Sequence, residues 1–539
     1  MGAPVRHNSL AVRLHHPAPT APLRADLALR RQDTGPRLGR PRRLRSSHRR
    51  RAATPVRPPD RSRAAPRWDP PKGASVTGEF DLVVVGAGAA GLSAARTGRR
   101  RGARVALISD GPFGGDCTFY GCVPSKTLIE AASQGVDYET AATRLKSTIA
   151  EIASTENPDS LCREGITPIE AAARLVGPKE LLVDGTPIGW RRLVIATGSR
   201  PAVPPIPGIE TVSYLTNESV FDLETLPASM VIIGGGPIGA ELAQAFARFG
   251  TEVTIVEAGD RILPREEPQA SRIAAEALSG DGVRVLTNAK VRSVRSSEQG
   301  VAVELGDGEA RAEQLLVAVG RHPSTDRIGA GEAGAEIDRR GHLVTDIQMR
   351  TTLPGVYAAG DVTGRAPFTH GADEMGRIAA SNALARIPWH RFDEKAIPAV
   401  TYTAPEVARV GLTEDAAAEA HDGALVAELP LSELDRAITA ARTDGYIKLI
   451  TAPRRGAHNL AGGRLVGATI VAARAGEMIA VPTLAMRTHM FPARLALTVQ
   501  AYPTWTLGVR QAAAQLFIET GGRKARPARR QDLQQGEHS

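Results

Sequence analysis

Cysteine is scarce in this chain of 539 residues: there are three, Cys117, Cys122 and Cys162. So few in so long a chain argue against a secreted scaffold stapled by disulfides. A close pair in a reducing compartment points instead to catalysis or metal binding. Nowhere does the chain hold the roughly 18 consecutive apolar residues of a membrane-spanning helix. Its longest apolar stretches, such as Leu82–Val85 and Met230–Ile233, have the length of buried strands. The N-terminus lacks the apolar core of a signal peptide, and the expectation is a cytoplasmic protein with no membrane partner.

Acidic residues are lacking where basic ones abound. Residues 1–78 carry 17 Arg and one Lys against four Asp, a balance of +14, which leaves −5 for the rest of a chain whose formal charge is +9. This Arg-, Pro- and Ala-rich segment has neither helical nor strand periodicity and too little apolar surface to order itself. It reads as a disordered extension. The other reading is a tether to nucleic acid or an anionic membrane, with the body as a scaffold. No series of aromatic stacking platforms interleaves with the arginines, so a nucleic-acid partner is not expected.

The rest is long enough for three or four domains. Residues 81–109 read strand, Gly-rich turn, helix, strand, and residues 230–257 repeat the pattern. Two nucleotide-binding units on one chain imply two dinucleotides. In the first fingerprint, Gly86 makes the tight turn, Gly88 lets the backbone approach a pyrophosphate, and Gly91 lets the helix pack on the strand. The ribose-binding acid belongs about 20 residues on. Ser109 occupies that place, and Asp110 follows as its substitute. In the second fingerprint Gly234, Gly236 and Gly239 play the same parts, and Glu257 stands in register. A carboxylate there accepts from a ribose 2′-hydroxyl and repels a 2′-phosphate, favouring NADH over NADPH, although Arg261 lies near in sequence. Beyond residue 395, alternating strands such as Tyr446–Ile450 and Leu465–Val471 precede two amphipathic helical stretches, an α+β domain.

The most specific stretch is Gly114-Gly115-Asp116-Cys117-Thr118-Phe119-Tyr120-Gly121-Cys122-Val123-Pro124-Ser125-Lys126. Two thiols at this spacing can close a disulfide at the start of a helix, where the dipole lowers a thiol pKa. Half a zinc site is the competing reading, but only Cys162 remains as a further soft ligand. Cys162 itself reads as a small buried hydrophobe. His370 reads as packing or local hydrogen bonding, and His489 as a surface residue.

With these residues the chain resembles the class I pyridine nucleotide–disulfide oxidoreductases, which include mercuric reductase, dihydrolipoamide dehydrogenase and glutathione reductase. The likeness spans about residues 80–518. It includes Ala196-Thr197-Gly198, followed by Ser199, then Leu316-Val317-Ala318-Val319-Gly320-Arg321, then Gly355-Val356-Tyr357-Ala358-Ala359-Gly360-Asp361. The resemblance implies an α/β fold with two Rossmann-like domains, for FAD and NAD(P), and a C-terminal α+β dimerisation domain. The expected boundaries are 79–220 and 346–393 for the flavin domain, 221–345 for the nicotinamide domain, 394–520 for the interface domain and 521–539 for a frayed polar tail. It further implies that Cys122 is the flavin-proximal thiol, Cys117 the interchange thiol, and Lys126 with Glu241 an ion pair near the flavin. Thr197, Gly198, Ser199, Gly320 and Asp361 would contact cofactor. Hydride would pass from NAD(P)H to FAD and on to the disulfide.

One departure bears on the substrate. Relatives that reduce organic disulfides carry His-Pro-Thr near the C-terminus with a Glu five residues after the His. Here Tyr502 stands for the His and Leu507 for the Glu. A phenol with a pKa near 10 is a poor base at neutral pH. Mercuric reductases resemble this chain in carrying a Tyr there, yet their C-terminal vicinal cysteines and N-terminal Cys-x-x-Cys domain have no counterpart in it. The expectation is a mercuric reductase-like homodimer, Tyr502 facing the partner subunit's redox pair, with a small-molecule or soft-metal acceptor. Dihydrolipoamide dehydrogenase or a low-molecular-weight disulfide reductase is the alternative.

Overall fold

A computed structural model describes residues 80–530 apart from 455, 457 and 458. The extension expected over 1–78 and the end of the tail, 531–539, lie outside the described residues.

Leu82–Val85 becomes the middle of a five-stranded parallel sheet, between Val105–Ser109 and Leu193–Ile195. Thr167–Glu170 and Val356–Ala358 form its edges. The second unit builds a parallel sheet in the same order: Ser229–Ile233 lies between Glu252–Val256 and Gln314–Val317, with Arg284–Leu286 outside. Parallel strands are covered on both faces, which explains why the central ones are continuously apolar. The repeat runs further than the glycine motifs announce. Each unit inserts a three-stranded antiparallel meander before its fourth strand, Ala173–Ile188 in the first and Val291–Ala312 in the second.

The first unit is completed only after the second. Val356–Ala358 returns to its sheet, and helix Thr369–Ala383 packs beside helix Ala89–Arg100. A side chain at Gly376 would collide with the Ala90 carbonyl, so the two helices meet backbone to backbone.

The C-terminal domain is a six-stranded antiparallel sheet. Two of its features differ from expectation. Arg526–Pro527 pairs with Leu425–Val426 as an edge strand, so residues 521–530 are not a frayed tail. Arg526 is anchored there by its ion pair with Glu414. The strand Tyr446–Ala452 is buried along its whole length rather than half exposed. Its polar Lys448 places Nζ 2.9 Å from Glu414 of the same domain and 3.3 Å from Glu267 of the nicotinamide-type domain. Among the described residues no helix is long and apolar enough to cross a membrane.

Candidate functional site

Both glycine fingerprints are built alike. Gly86 (φ +103°) and Gly234 (φ +108°) turn the chain in the left-handed region, tight against the carbonyls of Ala196 and Ala318. Side chains at Gly91 and Gly239 would strike the carbonyls of Gly86 and Gly234. The protein makes no such demand on the middle glycines. A Cβ on Gly88 would meet nothing nearer than Gly115 Cα at 4.0 Å, and one on Gly236 nothing within 4 Å. The helices that begin there, Ala89–Arg100 and Pro237–Phe249, have no capping side chain and no acid in the first turn. Open space in front of free helix N–H groups fits a pyrophosphate. FAD and NAD(P)H therefore suit the residues present.

The two sites differ at the ribose position. The sheet registers pair Val85 with Ile108 and Ile233 with Val256, so Ser109, not Asp110, is the counterpart of Glu257. Asp110 lies one residue beyond the strand, exposed. The Glu257 carboxylate accepts from the N–H groups of Gly235 and Gly259, both at 2.7 Å, and so stands at the mouth of the second fingerprint. Arg261 is drawn away from it, donating to Asp260 and to the Pro264 carbonyl.

Cys117 lies in the short helix Gly115–Phe119, and Cys122 is the first residue of helix Cys122–Ser133. The loop before them packs on the first fingerprint, with Gly114 N donating to Ala87 O at 2.9 Å. Both sulfurs are free thiols. Thr369, which opens its helix, bridges them: its hydroxyl donates to Cys117 Sγ at 3.2 Å and lies 3.3 Å from Cys122 Sγ. The two thiols are driven apart in acidity. A hydrogen bond from Cys117 brings the Cys122 pKa down to about 6, helped by Thr369 and the charge of Lys126 against the effect of burial. The same bond and burial push Cys117 far up. At neutral pH Cys122 is the thiolate and Cys117 the thiol that donates to it. Lys126 keeps its charge: burial disfavours it, but Glu241, 2.7 Å away, raises its pKa. Glu241 also accepts from Tyr402 N, and Lys126 sits 4.6 Å over the Tyr402 ring.

Arg321, quoted in a motif but given no role from sequence, is the hub of a second network. It donates to the Ser199 hydroxyl (2.7 Å) and carbonyl (2.8 Å) and to Asp116 Oδ1 (3.0 Å). Ser199 donates in turn to Asp361 at 2.6 Å. The residue beside Cys117 is thereby tied to Asp361. Thr197 donates to Ser324 O, and Ser324 N donates to Gly198 O, joining the two halves of the motif set. Gly320 (φ +134°) has open space around it.

Tyr502 is 70% exposed, its hydroxyl donating to Asp435 at 2.8 Å. That bond and the negative charge raise its pKa. Leu507 does not point at Tyr502; it is buried in the domain core. His370 is exposed, bonded to the Pro398 carbonyl at 2.7 Å and stacked on Phe368, while its neighbour Thr369 touches the sulfurs. Cys162 is exposed, not buried: the helix Pro158–Arg163 turns Leu161 inward in its place.

Comparison with known proteins decides the family. The model of the pyridine nucleotide-disulphide oxidoreductases matches residues 80–376, and that of their dimerisation domain matches 397–513. The chain belongs to this family. It is an FAD-dependent NAD(P)H:disulfide oxidoreductase of class I. This oxidoreductase is 33% identical over 457 residues to a mercuric reductase of Staphylococcus aureus, covering 81% of this chain and 82% of that one. It is 33% identical over 453 residues to a dihydrolipoyl dehydrogenase of Chlamydia pneumoniae, covering 80% and 95%. Among solved structures it is similar to the Cu(II) complex of the HOCl-induced flavoprotein disulfide reductase RclA of Escherichia coli. There the TM-score is 0.75 with 30% identity, covering 81% of this chain and 99% of that one.

Proposed function

We propose that this oxidoreductase carries electrons from NADH through Cys122 and Cys117 to a soft metal ion or a quinone, rather than to an organic disulfide. The observation that carries the reading is the pairing of Tyr502 with Asp435. Reducing an organic disulfide expels a thiolate that an acid must protonate, worth roughly 10²–10⁴-fold in rate. Here the phenolic proton is committed to Asp435 and held more tightly than in a free phenol. Soft ions and quinones do not need that acid.

FAD, when bound, supplies the hydride acceptor for the nicotinamide and the two-electron donor for the disulfide. The remaining chemistry falls to the side chains. Lys126, held by Glu241, favours the Cys122 thiolate. The hydrogen bond between the sulfurs lets the Cys117 proton pass to Cys122, which frees Cys117 as nucleophile or ligand. Glu257 would select NADH by accepting from the ribose. Asp361 and Ser199, set by Arg321, would hold the flavin's ribityl and pyrophosphate region. The chain would act as a homodimer through its dimerisation domain, whose exposed Leu497, Val499 and Tyr502 provide apolar surface for the partner. The mercuric reductase relative and the copper-bound RclA structure support a metal acceptor. The dihydrolipoyl dehydrogenase relative supports lipoamide as the second reading.

The test is NADH and NADPH oxidation by the flavin-loaded protein with mercuric ion, Cu(II), a benzoquinone, lipoamide and oxidised glutathione. The proposal expects the first three to outrun the last two by at least tenfold. Lipoamide as the fastest acceptor would overturn it.

A further inference from the structure

At the end of the flavin domain away from the thiols, we infer a docking face for an anionic bilayer surface, made by Ile387 and Trp389 within a ring of arginines. Its place follows from one helix. Thr369, at the start of Thr369–Ala383, touches both sulfurs, and the carbonyl of Ala383, at its other end, accepts from Arg192. Fifteen residues of helix put about 22 Å between those ends.

The loop that follows is rigid. Asn382 is completely buried and spends its whole side chain on it. The Asn382 amide oxygen accepts from Trp389 N and His390 N, and its nitrogen donates to His390 O and Gln348 O. Gln348 clamps Pro388 O as well, and Phe392 closes the loop into the core. A loop so well anchored had every opportunity to turn its apolar side chains inward. Instead Ile387 is 74% exposed and Trp389 68% exposed, the indole stacked on His390 at 3.8 Å.

The surroundings are cationic. Leu384, at the root of the loop, packs on Gly98, so helix Ala89–Arg100 ends at the same face. Arg99, Arg100, Arg101, Arg192, Arg386 and Arg391 are exposed and make no ion pair among the described residues. Of the acids of this end, Asp81 is paired with Arg104 and Arg191 and Glu164 with Arg96, while Asp393, beside the loop, accepts from Lys395 N. An exposed Trp and an aliphatic residue among unpaired arginines match the boundary of acyl chains and anionic headgroups. A nucleic acid would stack on Trp389 but leaves Ile387 without a partner, and an acidic protein would need an apolar pocket for both.

Co-flotation of the full-length, flavin-loaded protein with vesicles tests the inference. Binding is expected to phosphatidylglycerol-containing vesicles and not to pure phosphatidylcholine ones. Ile387→Ser with Trp389→Ser should weaken it on the order of tenfold or more. Arg100→Glu with Arg101→Glu should weaken it by roughly fivefold per arginine. Both double variants should oxidise NADH at the parent rate, which shows that they are folded. Absence of vesicle binding, binding unchanged in the Ile387/Trp389 variant, or tighter binding to duplex DNA than to the vesicles would each overturn it.

Discussion

Thr369→Val isolates what holds the Cys122 thiolate. The substitution keeps shape and volume and removes one hydroxyl, which lies 3.2 Å from one sulfur and 3.3 Å from the other. Hydrogen bonds to charged groups contribute about 1.5–3 kcal/mol, and 1.36 kcal/mol is one pKa unit, so a fully committed hydroxyl would be worth roughly 1–2 units. This one is shared between two sulfurs, and the lower end applies. The sign follows from the charge. Thr369 lowers the Cys122 pKa, now about 6, so its loss raises the pKa and the thiolate forms at higher pH. The midpoint should move to about 7. It can be read from the pH dependence of iodoacetamide alkylation of Cys122 in the reduced enzyme, with Thr369→Ser restoring the parent midpoint. A midpoint that stays within a few tenths of a unit, or falls, would show that Cys117 and Lys126 suffice and that the threonine is packing.

Other expectations are equally direct. Tyr502→His should raise lipoamide turnover by about tenfold or more while leaving a quinone rate level, because Asp435 already supplies the carboxylate for an imidazole. Steady-state assays on both acceptors check it; an unchanged lipoamide rate refutes the assignment of Tyr502. Glu257→Ala should erode the NADH preference, measured as the ratio of kcat/KM for the two coenzymes, by roughly tenfold, about the worth of one charged hydrogen bond. A ratio that does not move excludes Glu257 as the ribose ligand. Lys448→Met should destabilise the protein by about 3 kcal/mol, since it leaves Glu267 buried without its cation, and thermal unfolding should report a lower midpoint. No change would mean that Arg526 and backbone donors satisfy the carboxylates alone.

The parts of this site that were legible in the sequence are those written as local patterns. The glycine spacing of residues 86–91 and 234–239 dictates a turn at the head of a helix whatever the rest of the chain does. The stretch from Gly114 to Lys126 was legible for the same reason, with Cys122 at a helix start and Cys117 in the short helix before it. What sequence reasoning missed lies across long separations. Thr369 meets Cys117 over 252 positions and Arg321 meets Asp116 over 205, and neither residue type carries a signal of its own there. Asp435 reaches Tyr502 over 67 positions, whereas the local pattern pointed to Leu507, which the core claims. The fate of Lys448 was not legible, because alternation in a strand such as Tyr446–Ile450 reads as one wet face. The nicotinamide-type domain covers that face and supplies Glu267. Cys162 shows the limit of residue averages: cysteine is usually buried, but in Pro158–Arg163 the inward position belongs to Leu161.

The central claim is that Cys122 is the thiolate that faces the flavin and Cys117 the thiol that faces the acceptor. Anaerobic reduction by one equivalent of NADH, followed at long wavelength, tests it most directly. The parent enzyme should show a thiolate-to-flavin charge-transfer band that fades as pH falls through about 6, the pKa of Cys122. Cys117→Ser should keep such a band even before NADH is added, because the remaining thiolate is then free of its disulfide. Cys122→Ser should have none at any pH. A band that persists in Cys122→Ser, or disappears in Cys117→Ser alone, would reverse the two assignments and contradict the account.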